Sequence, residues 1–324
     1  MIEQETVFIL GAGASFPYGY PNGNELRTAV IDLIDFDESY FKDTQIKTTE
    51  GILNIKNFYG ISDDILNHFL NLKKSLIGSR RSSIDIFLEN RTEFCDIGKR
   101  CIAWDIIGHE NPDITDKYDW FEYLHDQVLA NGCSSTEEYC ENNINFITFN
   151  YDRFLEYSLI TSLKETYGQN ESYCADKIKE NFNMIHVHGK LDDLKWENPA
   201  GRAYGEKPVT QLGWKKSADG ININHDEKIF KKARKLIENT EIIVFLGLNL
   251  HNIINLNRLR IKDNLEGKKI YATLKGLSGP QKQEVVQYFN NRLNRNLIFD
   301  DRRMVGHLPS FNAYELLKEH TSFR

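Results

Sequence analysis

Val7-Phe8-Ile9-Leu10-Gly11-Ala12-Gly13-Ala14-Ser15 runs four apolar residues straight into two glycines separated by one alanine. A short apolar run rich in β-branched and aromatic residues reads as a strand covered on both faces. The glycine turn behind it lets the backbone take angles other residues resist, and without a Cβ a diphosphate can approach the N–H groups closely. The turn therefore points to a nucleotide. As a dinucleotide fingerprint it is incomplete: Gly11 and Gly13 fill the first two positions of G-x-G-x-x-G, and Phe16 stands at the third. That third glycine serves close packing of the following helix. Here the loop Phe16 to Gly23 intervenes, so the helix is expected to start near Asn24. On this stretch alone, a glycine turn joining a core strand to a helix without any ligand stays open as a reading.

Downstream, Leu26, Ala29, Val30, Leu33 and Ile34 recur at helical spacing from Glu25 to Ile34, with Asn22 or Asn24 able to cap the start. From 36 to 140 no strong strand appears while several helical segments do, among them Ser82 to Glu89, Trp104 to Ile107 and Tyr118 to Leu129. This stretch reads as a mostly helical insertion. The core resumes with the strand Ile144 to Phe149, which breaks at Asn150-Tyr151-Asp152 into a helix holding Phe154, Leu155, Leu159 and Leu163. A strand Met184 to Val187 ends at His188-Gly189. Residues 192 to 226 read as a long polar loop or irregular hairpin, followed by a basic amphipathic helix, Asp226 to Glu238, whose lysines suit a solvated face. Glu241 to Leu246 is another apolar strand closing on Gly247-Leu248-Asn249. Lys269 to Leu274 and Asn296 to Phe299 complete the strands, with a helix Gln281 to Leu293 between them. Strands alternating with helices predict an α/β protein: a doubly wound, mainly parallel, Rossmann-like sheet, with core 1–35 and 141–324 and the insertion 36–140 in a single domain over 1–324.

The totals restrict function. The 324 residues can bury a large core, and 40% hydrophobic with 27% charged residues is ordinary for a globular chain. A net charge of −7 gives no overall reason to bind nucleic acid or an anionic membrane. Five widely spaced cysteines without a C-x-x-C pair disfavour a zinc ribbon and a disulfide framework. Glu3 and Glu5 stand where a secretion signal would carry basic residues, and no apolar run approaches the roughly 20 residues of a membrane span, so a reduced cytoplasmic location is expected.

In a parallel sheet the strand ends converge on one crevice, where ligands of such folds sit. Four ends carry suggestive residues: Gly11 to Ser15, Asn150-Tyr151-Asp152, His188-Gly189 and Gly247-Leu248-Asn249. Each also has a bland role, since Ser15, Asn150 and Asp152 can cap turns or helices and Gly247 can make a tight turn. Their coincidence at corresponding positions favours a site.

In this order, Gly11-Ala12-Gly13-Ala14-Ser15, Gly19-x-Pro21, Thr148-Phe149-Asn150-Tyr151-Asp152, His188-Gly189 and Gly247-Leu248-Asn249 resemble the sirtuin superfamily, closest to the sirtuin-like NAD hydrolases of bacterial antiphage defence. Ser83 to Leu88 resembles a helix of that branch. The resemblance implies that Gly11, Ala12, Gly13 and Ser15 hold the diphosphate side of NAD, with Pro21 in a flexible covering loop. It implies that Asn150 positions the nicotinamide ribose and a water, that Asp152 lies near the carboxamide, and that His188 is the base. Gly247, Leu248 and Asn249 would line the adenosine half. Gly19-Tyr20-Pro21-Asn22-Gly23-Asn24 departs from the deacylase pattern, Phe149 replaces a glutamine, and the four zinc cysteines of deacylating sirtuins are missing, with no cysteine after Cys174. Hydrolysis of NAD without a metal is therefore preferred over protein deacylation or ADP-ribosyl transfer, and over a non-catalytic subunit that binds NAD or ADP-ribose. Such an activity must be gated, which implies a homo-oligomer or a separately encoded sensor or regulatory protein. His186, two residues before His188, is expected to be structural.

Overall fold

The computed structural model describes residues 1–33, 45–48, 51–54, 63–113, 120–224, 226–290 and 311–319. Its centre is a five-stranded, all-parallel sheet made of β1 (Thr6–Leu10), β4 (Ile144–Thr148), β5 (Met184–His186), β6 (Ile242–Leu246) and β7 (Lys269–Ala272). In space the order is β5-β4-β1-β6-β7. The chain thus winds outward from β1 in one direction, returns to its other side, and winds outward again, so the winding reverses at β1. Helices flank both faces, which makes the protein α/β with a Rossmann-like arrangement.

β1 explains why the core divides in two. Phe8 and Leu10 face one way, toward Phe146, Val244, the helix Phe154–Tyr167 and the insertion. Val7 and Ile9 face the other way, toward Ile147, Phe245 and the helices Glu227–Glu238 and Gly279–Asn290. Side chains alternate across a strand, and a sheet covered on both faces needs both sets apolar. In the helix Glu227–Glu238, Phe230, Ala233 and Ile237 are buried while Lys231, Lys232 and Lys235 lie in solvent.

The sequence-based boundaries shift at several places. A four-residue helix, Ala12–Ser15, follows β1 at once, then a tight turn Phe16–Tyr18, where a loop was expected. The long helix spans Gly23–Leu33, its start capped reciprocally: Asn22 Oδ1 accepts from the Asn24 and Glu25 N–H groups while the Glu25 carboxylate accepts from the Asn22 N–H. The insertion is helical at Asp63–Ser79, Ile84–Asn90, Cys95–Gly108 and Trp120–Tyr123, the last widening into a π-type turn at Leu124–Leu129. It also holds an antiparallel pair, β2 (Gln45–Thr48) with β3 (Gly51–Asn54), which the pattern did not reveal. The stretch 192–226 is not loop throughout, for Gln211–Asp219 is a helix, capped by Thr210 and stacked through Trp214 on Trp104. The strand expected at Asn296 to Phe299 lies outside the described residues. No described helix is long and apolar enough to cross a membrane.

The strands continue into their loops through one more rung each. Gly11 N–H donates to the Leu246 carbonyl, Phe149 N–H to that of Leu10, and Val187 N–H to that of Thr148. All the candidate segments therefore leave the sheet at the carboxyl-terminal end of its strands.

Between β1 and β6 the two turns touch backbone to backbone. Gly13 N–H donates to the Gly247 carbonyl at 3.0 Å. Gly247 has φ +63°, and a Cβ added there would lie 2.1 Å from the Ala14 nitrogen. Gly247→Ala is therefore expected to cost roughly 2–4 kcal/mol from left-handed strain and overpacking together. Gly23→Ala, whose added Cβ meets nothing within 4 Å, should be neutral or mildly stabilising. Urea unfolding of the two variants distinguishes them; equal stabilities would refute the contact's importance.

Candidate functional site

The segment Asn150–Arg153 connects β4 to the helix Phe154–Tyr167, and each of its side chains reaches a different part of the chain. Asn150 donates through its amide nitrogen to the Gly11 carbonyl at 3.1 Å and to Ser15 Oγ at 2.9 Å. Because a carbonyl only accepts, the first bond fixes which amide atom is nitrogen. Ser15 in turn donates its hydroxyl hydrogen to the Asp152 carboxylate. The result is a directed chain, Asn150 to Ser15 to Asp152, tying the end of β4 to the turn after β1.

Asp152 also accepts from the Phe154 N–H at 3.1 Å, so the capping role available to it is used. It is buried among these partners. Burial drives its carboxyl up to about 6 against the lowering effect of Ser15, the Phe154 N–H and His186, with Glu156 adding to the rise. An acid of that strength changes charge close to the range where proton transfer is useful.

Tyr151 turns away to the insertion, where its hydroxyl donates to Asp85, which also accepts from Ser83. Burial raises the Asp85 carboxyl, and the bonds from Tyr151 and Ser83 oppose that rise. Ser83 accepts in addition from the Ile86 N–H, so one short helix start both caps itself and holds Asp85 over the Asn150 loop.

Arg153 is wholly buried. It pairs two-pronged with Glu110 at 2.8 Å through Nε and Nη2, and Glu110 pairs again with Arg202 at 2.6 and 3.0 Å. Asp192 completes the cluster on Arg202 and accepts from Ser217. Planar guanidinium forks suit such shared carboxylates, and every charge has an opposite neighbour. The cluster fastens the insertion and the 192–206 loop to the start of one helix.

The two histidines diverge. β5 stops at His186, so the two do not lie on one strand face. His186 stands between the Asn150 carbonyl (Nδ1, 3.0 Å) and Glu156 (Nε2, 2.7 Å), both acceptors, which calls for hydrogen on each ring nitrogen. Burial alone would raise the Glu156 carboxyl, but the charges of His186 and Lys190 and the His186 bond outweigh it and hold the acid below the ordinary range. His188 is buried with its ring edge-on to Phe149, centroids 5.2 Å apart, and tilted beside Tyr151 at 6.2 Å. It thus packs against both neighbours of Asn150.

The remaining residues are less concentrated. Ala12 is half-buried and Gly13 exposed, while the Gly11 and Gly13 N–H groups already serve the Leu246 and Gly247 carbonyls. The glycines thus have a packing duty besides any ligand contact. Pro21 stands between two held residues: Tyr20 before it is buried and shares a 2.6 Å hydroxyl contact with Tyr204, and Asn22 after it caps a helix. The same loop is held at Tyr18, which stacks on Phe154, and at Ala14, whose carbonyl accepts from the buried Trp120 indole at 2.7 Å. Leu248 is buried and Asn249 points to solvent.

The structure therefore brings Gly11, Ser15, Asn150 and Asp152 into one bonded group, sets His188 against its flanks and Gly247 against its glycine turn, and leaves Asn249 outside. Asp85, Arg153, Glu110, Arg202 and Glu156 were missed as site partners. Glu156 alone left a trace, since it precedes Leu159 and Ile160 by three and four residues and so falls on a helix's apolar face. No family model matches the chain, and no curated protein matches it either.

The sign of the Asp152 effect on stability is testable. Its folded-state pKa of about 6 exceeds the unfolded value of about 3.9, so its contribution is full below pH ~4 and is lost as pH rises through ~6. At neutral pH the buried charge costs on the order of 3 kcal/mol. Asp152→Asn keeps an acceptor for the Phe154 N–H and should be more stable than the parent above pH ~6, with the difference vanishing near pH 4. Paired denaturation curves from pH 4 to 8 check this; a gap that does not change with pH would refute it.

Proposed function

We propose that the chain is an NAD hydrolase that cleaves the bond between nicotinamide and ribose, with Asn150 and His188 as its catalytic residues. The observation that carries this reading is the bonded group at the carboxyl-terminal end of the sheet: an asparagine and a titratable aspartate, joined through Ser15, beside the glycine turn of the central strand. The resemblance to sirtuin-like NAD hydrolases supplies the reaction, and the neighbourhood of Asn150 agrees with what that chemistry asks of it.

In this reaction nicotinamide departs with the electron pair of the C1′–N bond, leaving an oxocarbenium-like ribose. A water oxygen then bonds to C1′ and gives up its proton, so that the products are ADP-ribose, nicotinamide and one proton. The Asn150 amide hydrogens are taken by Gly11 and Ser15, which aims its carbonyl oxygen as an acceptor for a ribose hydroxyl or that water. Holding the ring in place contributes through proximity. His188 would take the proton, a role typically worth about 10²–10⁴ in rate. Asp152, with a carboxyl near neutrality, would stay beside the carboxamide. The glycine turn and Gly247 would line the NAD track, and Ser15 would serve both diphosphate and relay.

Gating belongs to the same reading. A cytoplasmic enzyme that destroys NAD needs restraint, which we assign to a homo-oligomer or a separately encoded sensor or regulatory protein in antiphage defence, with the helical insertion as the contact surface.

Nicotinamide release from NAD by the purified chain, with and without an acylated peptide, tests the proposal. Release without peptide is expected, reduced at least 100-fold in His188→Ala and Asn150→Ala, both still folded by circular dichroism. Release only with peptide would make the protein a deacylase, and NAD binding without release would make it a binding subunit.

A further inference from the structure

Asn150 is held along its backbone as well as at its side chain. Its N–H donates to Thr148 Oγ1 at 3.0 Å, its carbonyl accepts from His186 Nδ1 at 3.0 Å, and the next carbonyl, that of Tyr151, accepts from the Leu191 N–H at 3.0 Å. Of these three donors only the imidazole titrates. Strand pairing puts it there, since β5 sets His186 beside Thr148 in the parallel register. Its other nitrogen reaches Glu156, in the first turn of the helix that the segment 150–153 feeds into. One ring therefore staples the Asn150 peptide to that helix.

Glu156 decides the state of that ring. Its carboxylate accepts from His186 Nε2 at 2.7 Å, and both side chains are buried. A carbonyl and a carboxylate only accept, so a ring with a single hydrogen would turn a lone pair toward one of them. An ionised donor and acceptor bond more strongly than neutral ones, the more so away from water. Two other charges face the pair. Lys190 lies 3.5 Å from Glu156 but is bound more closely by Glu197 at 2.5 Å, and the buried Asp152 feels the His186 charge.

We propose that His186 is a positioning residue: as an imidazolium shared between Glu156 and the Asn150 carbonyl, it fixes the Asn150 peptide so that the side-chain amide stays bonded to Gly11 and Ser15. Groups that act in a reaction need their orientation locked by neighbours, because a displacement of about 1 Å can cost about 10²-fold in rate. His186 acts only through Asn150. Its effect on rate rests on the reading of Asn150 as catalytic, whereas its effect on the Asn150 amide is measurable without NAD.

Two NMR measurements on the full chain at neutral pH test the structural half. Nitrogen spectra of the histidine rings should show hydrogen on both nitrogens of His186. In His186→Gln, which keeps a donor but not the two-sided ring, the Asn150 side-chain amide hydrogens should exchange with solvent at least tenfold faster. Those of Asn142, bonded to the Leu129 and Tyr139 carbonyls, should keep their rate. A His186 ring with one hydrogen, or unchanged Asn150 exchange, would overturn the proposal, and the ring spectrum needs no substitution should the variant fail to fold. Nicotinamide release then reads the coupling. His186→Gln should lower kcat at least tenfold with KM within threefold, and should slow Asn150→Ala no further. Independent, additive losses in the double variant would overturn the proposal. Full release by Asn150→Ala would instead overturn the NAD reading, and the two NMR results alone would then decide the role of His186.

Discussion

Two strand ends meet in this fold without a side chain between them. The turn after β1 and the turn after β6 press together at Gly13 and Gly247, with a backbone hydrogen bond across the contact. That closeness lets the helix Ala12–Ser15 begin immediately after β1, which brings Ser15 within reach of β4's end. A methyl group on either glycine would run into the backbone of the other turn, within 2.1 to 2.9 Å. The glycines therefore matter first for geometry, whatever binds later.

From that anchor, organisation passes to Asn150–Arg153. Four consecutive side chains diverge to the β1 turn, the Ser83–Asp85 helix start, Ser15 and Glu110. Each contact closes a large loop of chain, and the buried ion cluster shows how unequal their energetics are. Replacing such a cluster wholesale with apolar groups is often neutral, whereas removing one partner strands a charge at a cost of about 3–5 kcal/mol. Arg153 and Arg202 converge on the same two carboxylates, Glu110 and Asp192, which offset their mutual repulsion. Asp152 works in the opposite sense, as a buried acid whose charge opposes folding at neutral pH. Sites that hold reactive groups commonly carry that kind of penalty.

Much of this was legible in the amino-acid order, for reasons that also mark where legibility ends. β1, β4 and β6 announce themselves because a strand buried on both faces must be apolar throughout. The helix Gly23–Leu33 is readable from its period and from Asn22, and the convergence of Asn150 with Gly11 and Ser15 follows once the sheet is parallel. The helix Gln211–Asp219 hid behind Gly213 and a sparse apolar stripe. The antiparallel pair β2–β3 has only four residues per strand, too few for alternation to stand out. Pairings such as Tyr151 with Asp85, or Glu110 with Arg202, join residues 66 and 92 positions apart, and no local pattern encodes them. The N–H groups of Gly11 and Gly13 read as ligand donors from the sequence, yet the fold spends both on neighbouring carbonyls.

The insertion is usually the part of such a chain that an engineer would trim or transplant. Here it reaches inward with Trp120, Asp85 and Glu110 to grip a turn, a loop and a buried arginine. Shortening it would leave an indole-sized void and two guanidinium groups without their Glu110 partner in the interior, so a minimal α/β core cannot be excised along its boundaries. Chimeras should instead exchange the insertion together with Ala14, Tyr151, Arg153 and Arg202, as one inherited unit.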